Sequence, residues 1–211
     1  MAYDLQEQEH LEAVKGWWEQ YGTLAMVAII ACVLTIAAFQ GWRYYRHQQS
    51  LAAVTLYEQM AQAERANEHK KVRDIAAEII DRYTRTPYAA MAALSAARAA
   101  FETGELAASK TQLQWVIENA REEELRDVAR LRLAGVLLDE KKYEEALALV
   151  NGPHSAAFGA LYADMRGDIL LAQGKRGEAR SAYQQAIDKS DVKSPYRPMI
   201  QAKLDALGEA K

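Results

Sequence analysis

An uncharged stretch near the amino terminus constrains this chain more than any other feature. Residues 20–42, 23 positions in a row, contain no Asp, Glu, Lys or Arg. As a helix rising 1.5 Å per residue the stretch would reach about 34 Å, slightly more than the ~30 Å hydrocarbon layer of a bilayer. Trp17, Trp18 and Tyr21 flank one end, and Trp42, Tyr44 and Tyr45 flank the other. Aromatic rings at both interfaces are the anchors a spanning helix uses. The hydroxyl of the single internal Thr35 can bond a preceding carbonyl of its own helix. The segment reads as a transmembrane helix over residues 21–42. A short tail (1–20) precedes it and a large soluble part (43–211) follows.

A cleaved signal peptide would begin with positive charge, and here Asp4, Glu7, Glu9, Glu12 and Glu19 outnumber Lys15. Ile29-Ile30-Ala31-Cys32 loosely resembles a lipobox, but residues 33–39 continue the apolar run past the cysteine. Cys32 therefore reads as a small apolar residue facing lipid or a partner helix. Gly22, Ala25, Ala28 and Cys32 fall at helical spacing on one small-residue face, which permits close approach of another helix. The positive-inside rule does not orient the span: Lys15 and the amino terminus precede it, Arg43 and Arg46 follow it.

The rest of the chain is built for helices. Alanine takes 40 of 211 positions and there are four prolines, and these residues head and close the helix-propensity scale. Val, Ile and Thr total 27, seven of them inside residues 23–36, so few β-branched residues remain for strands. The expected fold class is all-α. A net charge of −3 and a pI near 5.9 argue against general nucleic-acid binding. One cysteine excludes an internal disulfide and a Cys-rich metal site.

The clearest repeat unit runs over residues 163–186 and places Gly167, Leu170, Gly174, Ala179, Tyr183 and Ala186 at the spacing of a tetratricopeptide helix-turn-helix. Gly167 and Ala179 would stand where the paired helices cross, and Gly174 would supply the turn. A second unit has Leu133, Ala134, Leu137, Lys141, Tyr143, Ala146 and Val150; a third has Ala97, Gly104, Leu106, Ser109 and Leu113. Their turn positions, 104, 141 and 174, keep close to a period of ~34 residues. Residues 50–85 form a looser fourth pair with a polar turn near Asn67, Glu68 and His69. Pro87, Pro153 and Pro195 fall at the junctions between units. Such units bury their apolar faces only by stacking, which predicts a solenoid over residues 43–211.

Catalytic chemistry finds no footing. His10, His47, His69 and His154 are scattered, and no H-E-x-x-H, G-x-S-x-G, Walker A or G-x-G-x-x-G occurs. Glu122, Glu123 and Glu124 open a helix, where the dipole favours negative charge. The chain reads as a non-enzyme that needs no cofactor and no metal.

Three segments carry a resemblance to a known family. Before the span comes Glu12-Ala-Val-Lys-Gly-Trp-Trp-Glu-Gln-Tyr-Gly22, with Trp17-Trp18 where the family often has Phe. After it comes Gly41-Trp42-Arg43-Tyr44-Tyr45. Near the end come Ala163-Asp-Met-Arg-Gly-Asp168 and Gly177-Glu-Ala-Arg-Ser-Ala182. In this order they are similar to the YfgM-like ancillary subunits of the bacterial SecYEG translocon. The resemblance implies a single-pass inner-membrane protein, its N-terminus cytoplasmic and its tetratricopeptide domain periplasmic. It also implies as partners the translocon, the membrane-anchored foldase PpiD and unfolded exported proteins.

In such repeats the first helix of each pair lines a concave groove. The register puts Met91, Leu94, Arg98 and Phe101 there, then Val128, Leu131, Gly135 and Leu138, then Leu161, Asp164, Asp168 and Leu171. The mostly apolar lining suits an unfolded segment or a partner helix. Two alternatives stay open. These residues could be core, with the groove filled by the chain's own last helix, residues 198–207. The protein could instead be a membrane-bound regulatory scaffold that sequesters a signalling factor.

Overall fold

The computed structural model describes residues 2–208, and in the first helix it leaves the side chains of residues 2–14, 16, 17, 25, 29 and 46 undescribed. Among the described residues every regular element is helical: α1 (Ala2–Arg65), α2 (His69–Arg82), α3 (Pro87–Glu102), α4 (Leu106–Asn119), α5 (Glu123–Asp139), α6 (Tyr143–Val150), α7 (Gly159–Ala172), α8 (Arg176–Lys189) and α9 (Arg197–Ala206), with one 3-10 turn (Ala156–Phe158) before α7. The chain divides into two compact units, residues 1–49 and residues 50–211.

The first unit is helix α1 up to residue 49. Its described side chains between residues 18 and 45 are exposed apart from Gly22. An 18-residue window there has a mean hydropathy of 2.4 and is only 6% buried. A helix this apolar and this uncovered does not belong to a soluble core. The Thr35 hydroxyl donates to the Ala31 carbonyl at 2.7 Å, which satisfies it inside the helix as the sequence leads one to expect.

The second unit consists of paired helices. Residues 50–65 of α1 pack on α2 through Met60, Ala63, Val72, Ala76 and Ile79; then α3 pairs with α4, α5 with α6 and α7 with α8, and α9 packs on α8. Each pair is joined by the same turn. Asn67, Gly104, Lys141 and Gly174 have φ of 55°, 77°, 61° and 79°, 37, 37 and 33 residues apart. The residue after each donates its backbone N–H to the carbonyl five positions back in the Schellman pattern: Glu68 to Ala63, Glu105 to Ala100, Lys142 to Leu137 and Lys175 to Leu170, at 2.8–2.9 Å. Asn67 is thus the fourth turn of the series, so the looser first pair follows the same rule.

Alanine explains how tightly the pairs stack. Helix α3 has buried residues on two sides: Ala89, Ala92, Ala96 and Ala99 join one cluster with Met60, Val72 and Ile79. Ala90, Ala93 and Ala97 join another with Leu113, Val116, Leu133 and Tyr162. Single-methyl side chains let helices approach from both sides without a gap. At the α7–α8 crossing Gly167 serves the same purpose: a Cβ there would lie 2.4 Å from the ring of buried Tyr183.

The third pair departs from the pattern. Helix α6 has 8 residues where α4 and α8 have 14, and Gly152 and Pro153 follow its end. The irregular residues 151–158 lead into α7, and Asp127 of α5 anchors them. Its fully buried carboxylate accepts from the Ser155 backbone N–H at 2.9 Å, the Tyr162 hydroxyl at 3.0 Å and Arg130 at 2.9 Å. Burial pushes the Asp127 carboxyl up, but these donors outweigh it and hold the group below the ordinary carboxylate range. Burial, with Asp127 alongside, pushes the Tyr162 hydroxyl up to about 12.

Candidate functional site

The first helices of the pairs place the expected groove residues at different depths. Phe101 is 42% exposed and Leu171 37% exposed, and Arg98 is exposed. Met91, Val128, Leu131, Leu138, Leu161 and Asp168 are half-buried, as is Gly135; Val128, Leu131 and Leu138 rest against the main core cluster. Leu94 and Asp164 do not reach the open surface, each at 7% exposure. Leu94 belongs to the core between α3 and α5 because its neighbours are alanines, which leave room for it to turn inward.

Asp164 is covered for a different reason. Lys203 of α9 reaches both carboxylates of α7, at 2.9 Å from Asp164 and 2.7 Å from Asp168, and the Tyr183 hydroxyl donates to Asp168 at 2.8 Å. At this end the chain's own last helix engages the acidic positions. Burial pulls the Lys203 ammonium down, but the two carboxylates outweigh it and raise its affinity for the proton. Burial raises the Asp164 carboxyl.

Between α3 and α5 the face stays open. Ala97, Arg98 and Phe101 of α3, Ser109 and Leu113 of α4, and Arg132, Gly135 and Val136 of α5 line a cavity of about 410 Å³. That size lies in the usual range for ligand pockets. Of these, the sequence register assigns Arg98, Phe101 and Gly135 to a groove; it assigns none of Ala97, Ser109, Leu113, Arg132 and Val136 to it. The signal for Arg132 was available, as an arginine set between Leu131 and Leu133 in an otherwise apolar helix segment. Arg98 is held by Glu102 at 2.8 Å, and Glu102 also lies 3.5 Å from His69. Arg132 donates to the Leu94 carbonyl at 3.5 Å. Burial, then the positive charge of Arg98, lowers its proton affinity below the usual guanidinium value.

On the apolar helix, Trp18, Tyr21, Trp42, Arg43 and Tyr44 are exposed, and the Arg43 guanidinium lies 5.9 Å from the centre of the Phe39 ring. Ala28 and Cys32 are exposed, and Cys32 is a free thiol. Gly22 is different: a Cβ there would stand 3.2 Å from the Trp18 indole, so this glycine accommodates a ring of its own helix. Trp17 and Ala25 fall outside the described residues. Among the described residues no cluster of three His, Cys, Asp or Glu could hold a metal ion.

Residues 15–209 match the model of the tetratricopeptide repeat-like domain. Over 211 residues the chain is 30% identical to an ancillary SecYEG translocon subunit of Neisseria gonorrhoeae, covering 98% of this chain and 100% of that protein. It is 31% identical to the protein of the same name from Escherichia coli K12, over 95% and 96% of the two chains. The chain belongs to this family. A counterpart from Haemophilus influenzae is 29% identical over 88% of this chain and 91% of its own length. Among solved structures, MamA (residues 41 to the end) from Desulfovibrio magneticus RS-1 superposes with a TM-score of 0.57 at 17% identity, covering 74% of this chain and 82% of that one. At that identity the likeness concerns the fold alone, and it confirms the tetratricopeptide-like stacking. The apolar helix is compatible with a single-pass membrane anchor, and a helical-repeat fold of this kind suggests a non-catalytic protein.

Proposed function

We propose that this protein is a membrane-tethered interaction module that associates with the SecYEG translocon and meets newly exported chains there. One observation carries the reading. The same chain joins an uncovered helix of mean hydropathy 2.4 to a helical-repeat unit whose inner side keeps an open, largely apolar cavity beside Phe101. The first needs a lipid environment, and the second suits an extended or unfolded segment. Family membership supports the translocon as partner, since the relatives carry that name.

In this reading residues 1–20 are the cytoplasmic tail, residues 21–42 cross the inner membrane and residues 43–211 form the periplasmic repeat domain. The foldase PpiD would be a neighbour in the same assembly, and unfolded exported proteins the clients. The aromatic collar and the Ala28–Cys32 face of the span supply the contact within the membrane.

A C-terminal reporter fusion active only outside the cytoplasm tests the orientation. Activity of a cytoplasm-only reporter would place the repeats on the inner side and overturn the proposal. Replacing residues 23–40 by an unrelated span tests the contact, and translocon co-purification should be lost. Full retention would assign the contact to the repeat domain instead.

A further inference from the structure

The open cavity differs from the rest of the inner face in its charge. Its lining contains two guanidinium groups, Arg98 and Arg132, and no carboxylate. Arg98 already has Glu102. Arg132 does not share in such a pair: among the described residues no carboxylate oxygen lies within 4 Å of it, and its one hydrogen bond is the 3.5 Å contact to the Leu94 carbonyl. Glu64 acts on it only from a distance, and Arg98 repels it.

A guanidinium presents five donors in a planar fork that fits a carboxylate in bidentate fashion. Arg132 is exposed in the lining of this cavity beside a second guanidinium, and its fork is open to a negative group arriving there. The neighbouring surface is apolar: Ala97, Leu113, Val136 and the half-exposed Phe101 ring, with Gly135 leaving the floor without a side chain. A ligand matched to this arrangement carries an apolar side chain and a carboxylate a few ångströms away.

We infer that the cavity between α3 and α5 takes an apolar side chain of an extended polypeptide whose neighbouring residue is acidic, with Arg132 receiving the acidic side chain. The inference rests on the client-facing reading of the groove and sharpens it: the groove prefers apolar–acidic segments of its clients over apolar segments alone. Arg98, already paired, contributes to the positive field, and Phe101 contributes the apolar contact.

The test uses the full chain in detergent micelles and fluorescently labelled Gly/Ser decapeptides with Phe-Glu or Phe-Gln at the centre and an amidated C-terminus. By fluorescence anisotropy the Phe-Glu peptide should bind about tenfold more tightly at low salt, and the preference should shrink as salt screens the pair. Arg132→Gln should abolish the preference, and Arg132→Lys should keep part of it because the charge survives without the fork. Thermal unfolding of both variants at the wild-type temperature excludes loss of fold. Equal affinity of the two peptides for the wild type would overturn this inference and leave the groove reading standing. A preference that survives in Arg132→Gln would overturn the role of Arg132. Binding that appears only with a free C-terminal carboxylate would show that the chain end is read instead, against the inference. No binding of either peptide would overturn the client reading itself and this inference with it.

Discussion

The ring of Tyr183 occupies the space that a methyl group on Gly167 would need, with ring carbons 2.4 and 2.5 Å from where that Cβ would be. The contact brings α7 and α8 together at their crossing, and the Tyr183 hydroxyl fixes the ring through Asp168. Gly167→Ala should force the two helices apart and destabilise the repeat domain by about 1–3 kcal/mol. Thermal unfolding of the full chain reads this; an unchanged midpoint would mean the crossing yields without strain. Tyr183→Phe, which keeps the ring and removes the hydroxyl, should cost only about 1 kcal/mol.

The turns give predictions of opposite sign. Lys141 holds φ of 61° where Gly104 and Gly174 hold 77° and 79°, and a left-handed backbone costs a non-glycine residue about 1–2 kcal/mol. Lys141→Gly should therefore stabilise the domain by up to about 1 kcal/mol, and Gly104→Ala should destabilise it by a similar amount. Urea unfolding of the two variants side by side checks the pair of signs.

Asp127 supplies a pH dependence. Its carboxyl is held below the ordinary range by the Ser155 N–H and the Tyr162 hydroxyl against the opposing effect of burial. A carboxyl whose folded pKa is depressed contributes stability that is present above its unfolded value of about 3.9 and is lost as pH falls through the folded value. Asp127→Ala strands Arg130, Ser155 N–H and Tyr162 hydroxyl, and should cost roughly 3 kcal/mol at pH 7. The gap between wild type and variant in urea midpoints should narrow only once the pH drops below about 4. A gap independent of pH down to 2 would show that the charge of Asp127 is not what anchors residues 151–158.

The inner face yields a further expectation. Phe101 and Leu138 come from successive pairs, one 42% exposed and the other half-buried. Replacing both by Ser should weaken binding of an unfolded exported protein about tenfold or more, since each apolar contact is worth ~1.5–3 kcal/mol when fully buried. Circular dichroism and thermal unfolding of the double variant separate lost contact from lost fold.

How much of this could be read from residues alone differs from place to place. Turns were legible because a left-handed backbone selects Gly or a few substitutes, so 104, 141 and 174 marked the period, and Asn67 could be placed only loosely because asparagine has other uses. Gly167 was legible because few residues fit at a helix crossing. Depth on the inner face was not, because helical spacing fixes a direction and not what lies in it. Leu94 turned into an alanine-rich core, and Asp164 met a lysine from α9, 39 residues later in the chain. Arg132 lies one position off the 128, 131, 135, 138 stripe and escaped a reading built on that stripe. The shortening of α6 and its anchoring through Asp127 depend on a contact with Ser155, 28 residues away, which no local pattern announces. Gly22 was read as part of a face for a partner helix, and its own Trp18 ring lies over it.

The most direct measurement is site-specific photocrosslinking in living cells during protein export. A photoreactive phenylalanine analogue at position 101, in the open cavity, and another at exposed Gln184 of α8 as a control would be incorporated into the full-length protein. The account predicts covalent adducts with exported chains in transit from position 101 and none from position 184. Equal crosslinking from both positions, or none from position 101 in a folded protein that still co-purifies with the translocon, would contradict it.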